Sequence, residues 1–187
     1  MKRAFLFLLA LSLVLTIGAF NAPQSTAEAQ PAETPSLASF KAVDLDGNEV
    51  DQTIFAEYNL TMINIWATFC GPCLSEMPEL GELAAEYADK GVRVVGIVAD
   101  IPRNADGTFD ADMVKLAQEI VKETGAEYLH LLPGDDLIAA KLNTVLAVPE
   151  TIFVDSEGNV VGNSYIGSRS GEEWAKIVDA LLAEVKG

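Results

Sequence analysis

The sequence is poor in the residues from which metal centres and nucleic-acid surfaces are built. Its 187 residues include two cysteines and one histidine, Cys70, Cys73 and His130. A structural zinc site takes four ligands, chiefly Cys and His. One chain cannot close such a site from these three residues, so two chains would have to share it. No histidine follows the cysteine pair directly, which removes the C-x-x-C-H pattern of haem attachment. Basic residues are scarce too: 12 Lys and Arg stand against 28 Asp and Glu, a net charge of -16. That balance excludes a phosphate-neutralising nucleic-acid surface, which needs a basic stripe. It also excludes adhesion to a membrane through a polybasic face. Internal repeats are lacking. Two clusters of Asp, Asn and Gly, at 46–48 and 104–107, miss the ligand spacing of a calcium loop and read as turns.

What is present begins with a leader. Lys2 and Arg3 precede an apolar or small-residue run over 4–20, the order of charge and hydrophobicity that marks export. Ala27-Glu28-Ala29 offers an A-x-A cleavage site, and 19–22 a weaker one. Residues 1–29 are therefore expected to be a cleaved signal peptide or an uncleaved N-terminal anchor. No cysteine follows the run, so a lipid-modified N-terminus is excluded. Residues 30–38 continue in Pro, Ala, Thr, Glu and Ser, a composition that buries too little surface to order itself and reads as a flexible linker. One domain is expected over 39–187, outside the cytoplasm.

Within that domain the hydrophobic period alternates between strand and helix. Residues 40–45 alternate and meet Asp46-Gly47-Asn48, with Glu49-Val50 returning as the second strand of an N-terminal hairpin. Residues 60–66 and 92–99 are apolar runs rich in β-formers, read as buried strands. Between them, from Cys73 to Gly91, Met77, Leu80, Leu83, Ala84 and Tyr87 recur at helical spacing, with Pro78 expected to kink the helix. Residues 101–110 form a polar loop, 112–124 an amphipathic helix, 128–132 a third strand and 136–142 a short helix. A hairpin follows over 151–154 and 160–161, turning at 155–159. A final helix spans 172–185. The order implies an α/β domain: a mixed sheet covered by helices, with right-handed crossovers between parallel strands.

Both cysteines fall in Cys70-Gly71-Pro72-Cys73, at a strand-to-helix junction. A disulfide spanning so short a loop adds little stability, so the pair calls for a chemical role. A thiol at a helix N-terminus gains from the dipole and the free backbone N–H groups, which favour thiolate. Cys70 is thus suited to attack and Cys73, one turn further in, to resolution. Gly71-Pro72 rigidifies the link, and proline is tolerated in a first helical turn. Redox dithiol, shared metal site and structural pair remain the readings of the residues alone. His130, within an apolar strand, reads as a satisfied core or sheet-edge histidine.

Trp66-Ala67-Thr68-Phe69-Cys70-Gly71-Pro72-Cys73, followed by Glu76-Met77-Pro78-Glu79-Leu80 and later by Val148-Pro149, resembles the extracytoplasmic thioredoxin-like proteins of the TlpA/ResA type. The resemblance runs from about Phe40 to the C-terminus. It implies a thioredoxin-like fold, a central mixed β-sheet flanked by helices with an N-terminal β-hairpin extension. It implies a cis peptide before Pro149, whose loop packs on the disulfide, and a substrate-contacting rim that includes Trp66, Gly71, Pro72, Val148 and Pro149. Glu76 matches an acidic residue that tunes the dithiol or carries a proton of Cys73, the alternative being a solvated helix glutamate. Two departures stand out. Asn64 occupies the position of the buried acid of thioredoxin, and Phe69 stands where Trp is commoner.

The implied activity is that of an extracytoplasmic thiol–disulfide oxidoreductase, with no metal or other cofactor. The Gly-Pro centre resembles that of thioredoxin, at about -270 mV, and favours a reductant. Exported protein disulfides, apocytochrome c among them, are the implied clients, and a membrane thiol carrier the implied electron donor. A redoxin-type thiol peroxidase is the alternative enzyme; Ala67, three residues before Cys70, lacks the hydroxyl such an enzyme places there. A thioredoxin-fold metal-binding or adaptor module is the non-enzymatic alternative.

Overall fold

The computed structural model describes residues 36–187; the leader and residues 30–35 of the linker lie outside the described residues. Ser36 and Leu37, placed in the linker by composition, already belong to the folded unit. Leu37 is buried, its N–H donates to the Gly158 carbonyl at 2.7 Å, and Ser36 bridges to Asn159.

Seven strands form one mixed sheet: β1 (Lys41–Asp44), β2 (Glu49–Asp51), β3 (Leu60–Trp66), β4 (Val92–Val98), β5 (Leu129–Pro133), β6 (Glu150–Asp155) and β7 (Val160–Ile166). Their spatial order is β2-β1-β5-β4-β3-β6-β7. β3, β4 and β5 run parallel, while β1, β6 and β7 join antiparallel. All seven residues of β3 are buried, as expected for an interior strand of a sheet covered on both faces. The helices are α1 (Gly71–Tyr87), α2 (Ala111–Thr124), α3 (Asp135–Ala140) and α4 (Gly171–Lys186). One face of the sheet carries Phe40, Phe55, Ile63, Ile65, Val95, Ile97 and Leu131 under Leu137 of α3. The other carries Leu60, Met62, Val94 and Phe153 under Leu80 and Leu83 of α1 and Trp174 and Val178 of α4. Toward the carboxyl ends of the parallel strands that second face continues into Trp66, Val98 and Leu132, packed with Cys70, Cys73, Met77 and Ala117. Catalytic groups gather at that end in open α/β sheets.

The departures from expectation have local causes. α1 continues past Pro78 to Tyr87; Pro78 lies on its exposed face and lacks the N–H that would bond to Leu74. β7 extends to Ile166 because Tyr165 and Ile166 pair with Thr151 and Glu150 of β6. As an edge strand it carries polar Asn163 and Ser164, which hide the period from a hydrophobicity reading. A 3-10 turn, Gln52–Phe55, follows β2 where no helical signal stood; Asp51 caps it through the Thr53 N–H at 2.9 Å, and Phe55 enters the core. Ser170 and Glu173 form a capping box that starts α4, a signature of helix initiation.

Candidate active site

Cys70 and Cys73 are joined by a disulfide with Cα atoms 5.3 Å apart. Cys70 is the N-cap of α1, and its Sγ accepts the Cys73 backbone N–H at 3.2 Å. That bond, together with the positive end of a 17-residue helix, would hold negative charge on Cys70 once the disulfide opens. Cys70 retains 5% of its surface and Cys73 none. An incoming disulfide therefore meets Cys70, while Cys73 is reached only from within. Gly71 and Pro72 are exposed beside it, and Phe69 is 79% exposed. Asp100, just past the end of β4, clamps the loop before Cys70: its carboxylate accepts the Thr68 N–H at 3.0 Å and the Thr68 hydroxyl at 2.6 Å. Sequence reading missed this clamp; its only trace was an acid directly after a buried strand.

The Val148–Pro149 peptide is cis. Pro149 is buried, and Val148 packs against the cluster holding Cys70 and Cys73. The Gly167 N–H donates to the Pro149 carbonyl at 2.9 Å, tying this loop to the end of β7. The next residue, Glu150, is buried and accepts from Lys141 Nζ and the Ser164 hydroxyl, both at 2.5 Å. This brace was also missed, although a glutamate between a proline and an apolar strand was visible. Trp66 requires a correction. Its side chain is fully buried, so it forms the back wall of the dithiol site and offers no surface to a substrate.

Glu76 is 3% exposed, which removes the solvated alternative. Its Oε1 accepts from Asn64 Nδ2 at 2.9 Å, and its Oε2 accepts from the Arg169 N–H at 3.0 Å and Trp174 Nε1 at 3.3 Å. Burial raises its carboxyl above the ordinary range, and the three donors oppose the rise. Asn64 also donates to the Thr151 hydroxyl at 3.1 Å, while its Oδ1 has no partner among the described residues. The amide that replaces thioredoxin's acid thus holds the glutamate one turn beyond Cys73.

His130 is buried and makes two hydrogen bonds, with Trp66 Nε1 and the Ala126 carbonyl. Burial holds its pKa down at about 4, so the ring is neutral at ordinary pH. Gly96 lies beneath it: a Cβ there would stand 2.1 Å from His130 Nδ1. Gly96→Ala should therefore cost about 1–3 kcal/mol through overpacking, read as a lower urea midpoint with an unchanged slope. Among the described residues no group of three or more His, Cys, Asp or Glu is placed to hold a metal ion. No described helix is long and apolar enough to cross a membrane.

The redoxin family profile matches residues 24–181. The chain belongs to the redoxin family. Among curated redoxin-like relatives, the thiol:disulfide interchange protein DsbE of Vibrio cholerae is 27% identical over 201 residues, covering 100% of both chains. The thiol-disulfide oxidoreductase ResA of Bacillus thuringiensis is 27% identical over 125 residues, 66% of this chain and 64% of the relative. A thioredoxin-family thiol:disulfide interchange protein from Chlorobium tepidum superposes with a TM-score of 0.65 at 24% identity, covering 82% of this chain and 99% of that one. A secreted Mycobacterium tuberculosis disulfide oxidoreductase, described as homologous to DsbE, superposes at 0.57 with 26% identity, covering 77% and 97%. This redoxin has the thioredoxin-like fold, and it is a thiol–disulfide oxidoreductase of the DsbE and ResA type that carries the Cys70–Cys73 pair.

Proposed function

We propose that the protein is an exported reductant of protein disulfides. The observation that carries this reading is the asymmetry of the pair: Cys70 Sγ sits at the α1 N-terminus on a backbone N–H, and Cys73 is sealed. Cys70 thiolate attacks one sulfur of a client disulfide and forms a mixed disulfide, and the other client sulfur leaves as thiolate. Cys73 then attacks Cys70 Sγ, the Cys70–Cys73 bond forms, and the second client sulfur departs. Two electrons pass to the client, and a membrane thiol carrier returns the pair to the dithiol. Glu76, one turn beyond Cys73 and raised by burial, takes up the Cys73 proton as that thiol becomes nucleophilic. Val148 and Pro149, with the exposed Gly71 and Pro72, line the approach of the client backbone to Cys70.

The leader over 1–29 supports export, whether it is cleaved or kept as an anchor. An apocytochrome c, whose C-x-x-C-H thiols must be reduced before haem attaches, fits as client. The Gly-Pro centre supports a potential near that of thioredoxin, about -270 mV, and far from the oxidant range of about -120 mV. A Cys73→Ala variant should accumulate a mixed disulfide with an exported C-x-x-C-H protein, seen as a reductant-sensitive adduct and identified by mass. Adducts confined to cytoplasmic proteins would overturn the exported reading. A potential in the oxidant range would overturn the reductant reading.

A further inference from the structure

Cross-strand register places four residues in one row beneath α1. Thr151 of β6 pairs with Asn64 of β3, Asn64 with Gly96 of β4, and Gly96 with His130 of β5. Gly96 contributes no side chain, and the imidazole of His130 lies over the space it leaves. There the ring is held by three residues, Trp66, Ala126 and Tyr128. Trp66 Nε1 lies 3.1 Å from Nδ1, and the Ala126 carbonyl lies 2.8 Å from Nε2. Tyr128 stacks on it at 4.4 Å, and Trp66 meets it edge-on at 83°.

Only one protonation state satisfies both polar contacts. The indole N–H is a donor and the carbonyl an acceptor, so Nε2 carries the proton and Nδ1 offers its lone pair. The Trp66 indole has a single polar atom, and His130 Nδ1 is its acceptor. Trp66 also belongs to the buried cluster that holds both cysteines, and Ala67, Thr68 and Phe69 lead from it to Cys70. We propose that His130 is a positioning residue for thiol–disulfide exchange: its Nδ1 lone pair fixes the Trp66 indole as the wall against which Cys73 parts from Cys70.

The need for a fixed wall follows from the burial of Cys73. When the disulfide is reduced, its two sulfurs must separate from bonding to van der Waals contact. Cys73 has no exposed surface, so that room comes from its packed neighbours. An indole held by a hydrogen bond offers the same wall to dithiol and disulfide. Without its acceptor, a buried N–H is left unsatisfied and the ring turns toward another partner, which changes the balance between the two states. His130 touches neither sulfur nor client; it acts through Trp66.

The inference rests on exchange at Cys70–Cys73, and two half-replacements test it separately from that reading. His130→Asn keeps an acceptor where Nδ1 stood and loses the contact to Ala126. His130→Gln reaches toward Ala126 and loses the acceptor for Trp66. Each loses one hydrogen bond of the same ring, so a purely structural histidine would treat the two alike. In a glutathione redox titration the Gln variant should shift the dithiol–disulfide equilibrium about tenfold, about 30 mV, while the Asn variant stays within about twofold of wild type. Insulin-disulfide reduction should slow in the same order. Trp66→Phe, which removes the donor and leaves His130, should match the Gln variant and abolish the difference between Gln and Asn when combined with each. Equal shifts for Asn and Gln, wild-type behaviour of both, or wild-type behaviour of Trp66→Phe would overturn the inference and leave exchange itself intact. A wild-type protein that fails to equilibrate with glutathione would overturn both.

Discussion

Replacing Cys70 with serine should lower disulfide reduction by a factor of at least about 10^3, the scale on which loss of a covalent nucleophile acts. Serine keeps the cap: its hydroxyl can accept the Cys73 N–H that Cys70 Sγ accepts at 3.2 Å. The helix start is preserved and only the nucleophile is lost. A hydroxyl at that site stays protonated at neutral pH, whereas a thiol there is biased toward thiolate by the same N–H and by the helix dipole. Cys73→Ser should behave differently. It leaves the first attack in place, so one equivalent of mixed disulfide forms in a burst and turnover stops at that point. Insulin reduction followed under single-turnover and steady-state conditions separates the two variants. Neither should unfold the protein, because the bridge spans three positions and constrains the unfolded chain little. A Cys70→Ser variant that turned over like wild type would remove the dithiol from the mechanism. One with a collapsed thermal midpoint would make the pair structural.

The attacking end of the site was legible in the sequence because its determinants are local. The C-x-x-C spacing, the Gly-Pro centre, the apolar run ending at Trp66 and the helical period from Cys73 all lie within the single stretch 60–87. The strands and helices were legible for the same reason, except where pairing partners decide the outcome. β7 is held to its full length by β6, and the turn at Gln52–Phe55 is fixed by its Asp51 cap and by burial of Phe55. The rear of the site was hidden because its contacts are distant in the chain. Asn64 meets Thr151 across 87 positions, and Glu76 meets Trp174 across 98. Nothing in a single sequence assigns those pairs. The burial of Trp66 is the instructive case. The family resemblance placed it on the rim, but β3 is an interior strand of the sheet, and its last side chain is fully buried in the cluster that holds both cysteines. Asn64, read as the loss of an acid, is instead the donor that seats another acid.

Glu76 should reveal itself through stability and its dependence on pH. Glu76→Ala strands three donors, Asn64 Nδ2, the Arg169 N–H and Trp174 Nε1. At about 1–3 kcal/mol for each buried donor left unsatisfied, the total is about 3 kcal/mol or more. Glu76→Gln should cost far less, about 1 kcal/mol. The Gln carbonyl can serve Arg169 and Trp174, and its amide can donate to Asn64 Oδ1, which lacks a partner among the described residues, once the Asn64 amide turns over. The pH dependence has a definite sign. Burial raises the folded carboxyl above the ordinary 4.5, so between those two values the folded state binds more protons than the unfolded one. Stability then falls as pH rises through that window. The contribution is complete below 4.5 and lost once the folded carboxyl ionises. In Glu76→Gln this slope disappears, so the difference in unfolding free energy between variant and wild type should narrow as pH climbs from 4.5 toward neutrality. Urea titrations of both proteins across that range measure it directly. A difference that widened with pH would mean that the three donors outweigh burial and hold the carboxyl below its ordinary range, which would make Glu76 a poorer acceptor for the Cys73 proton.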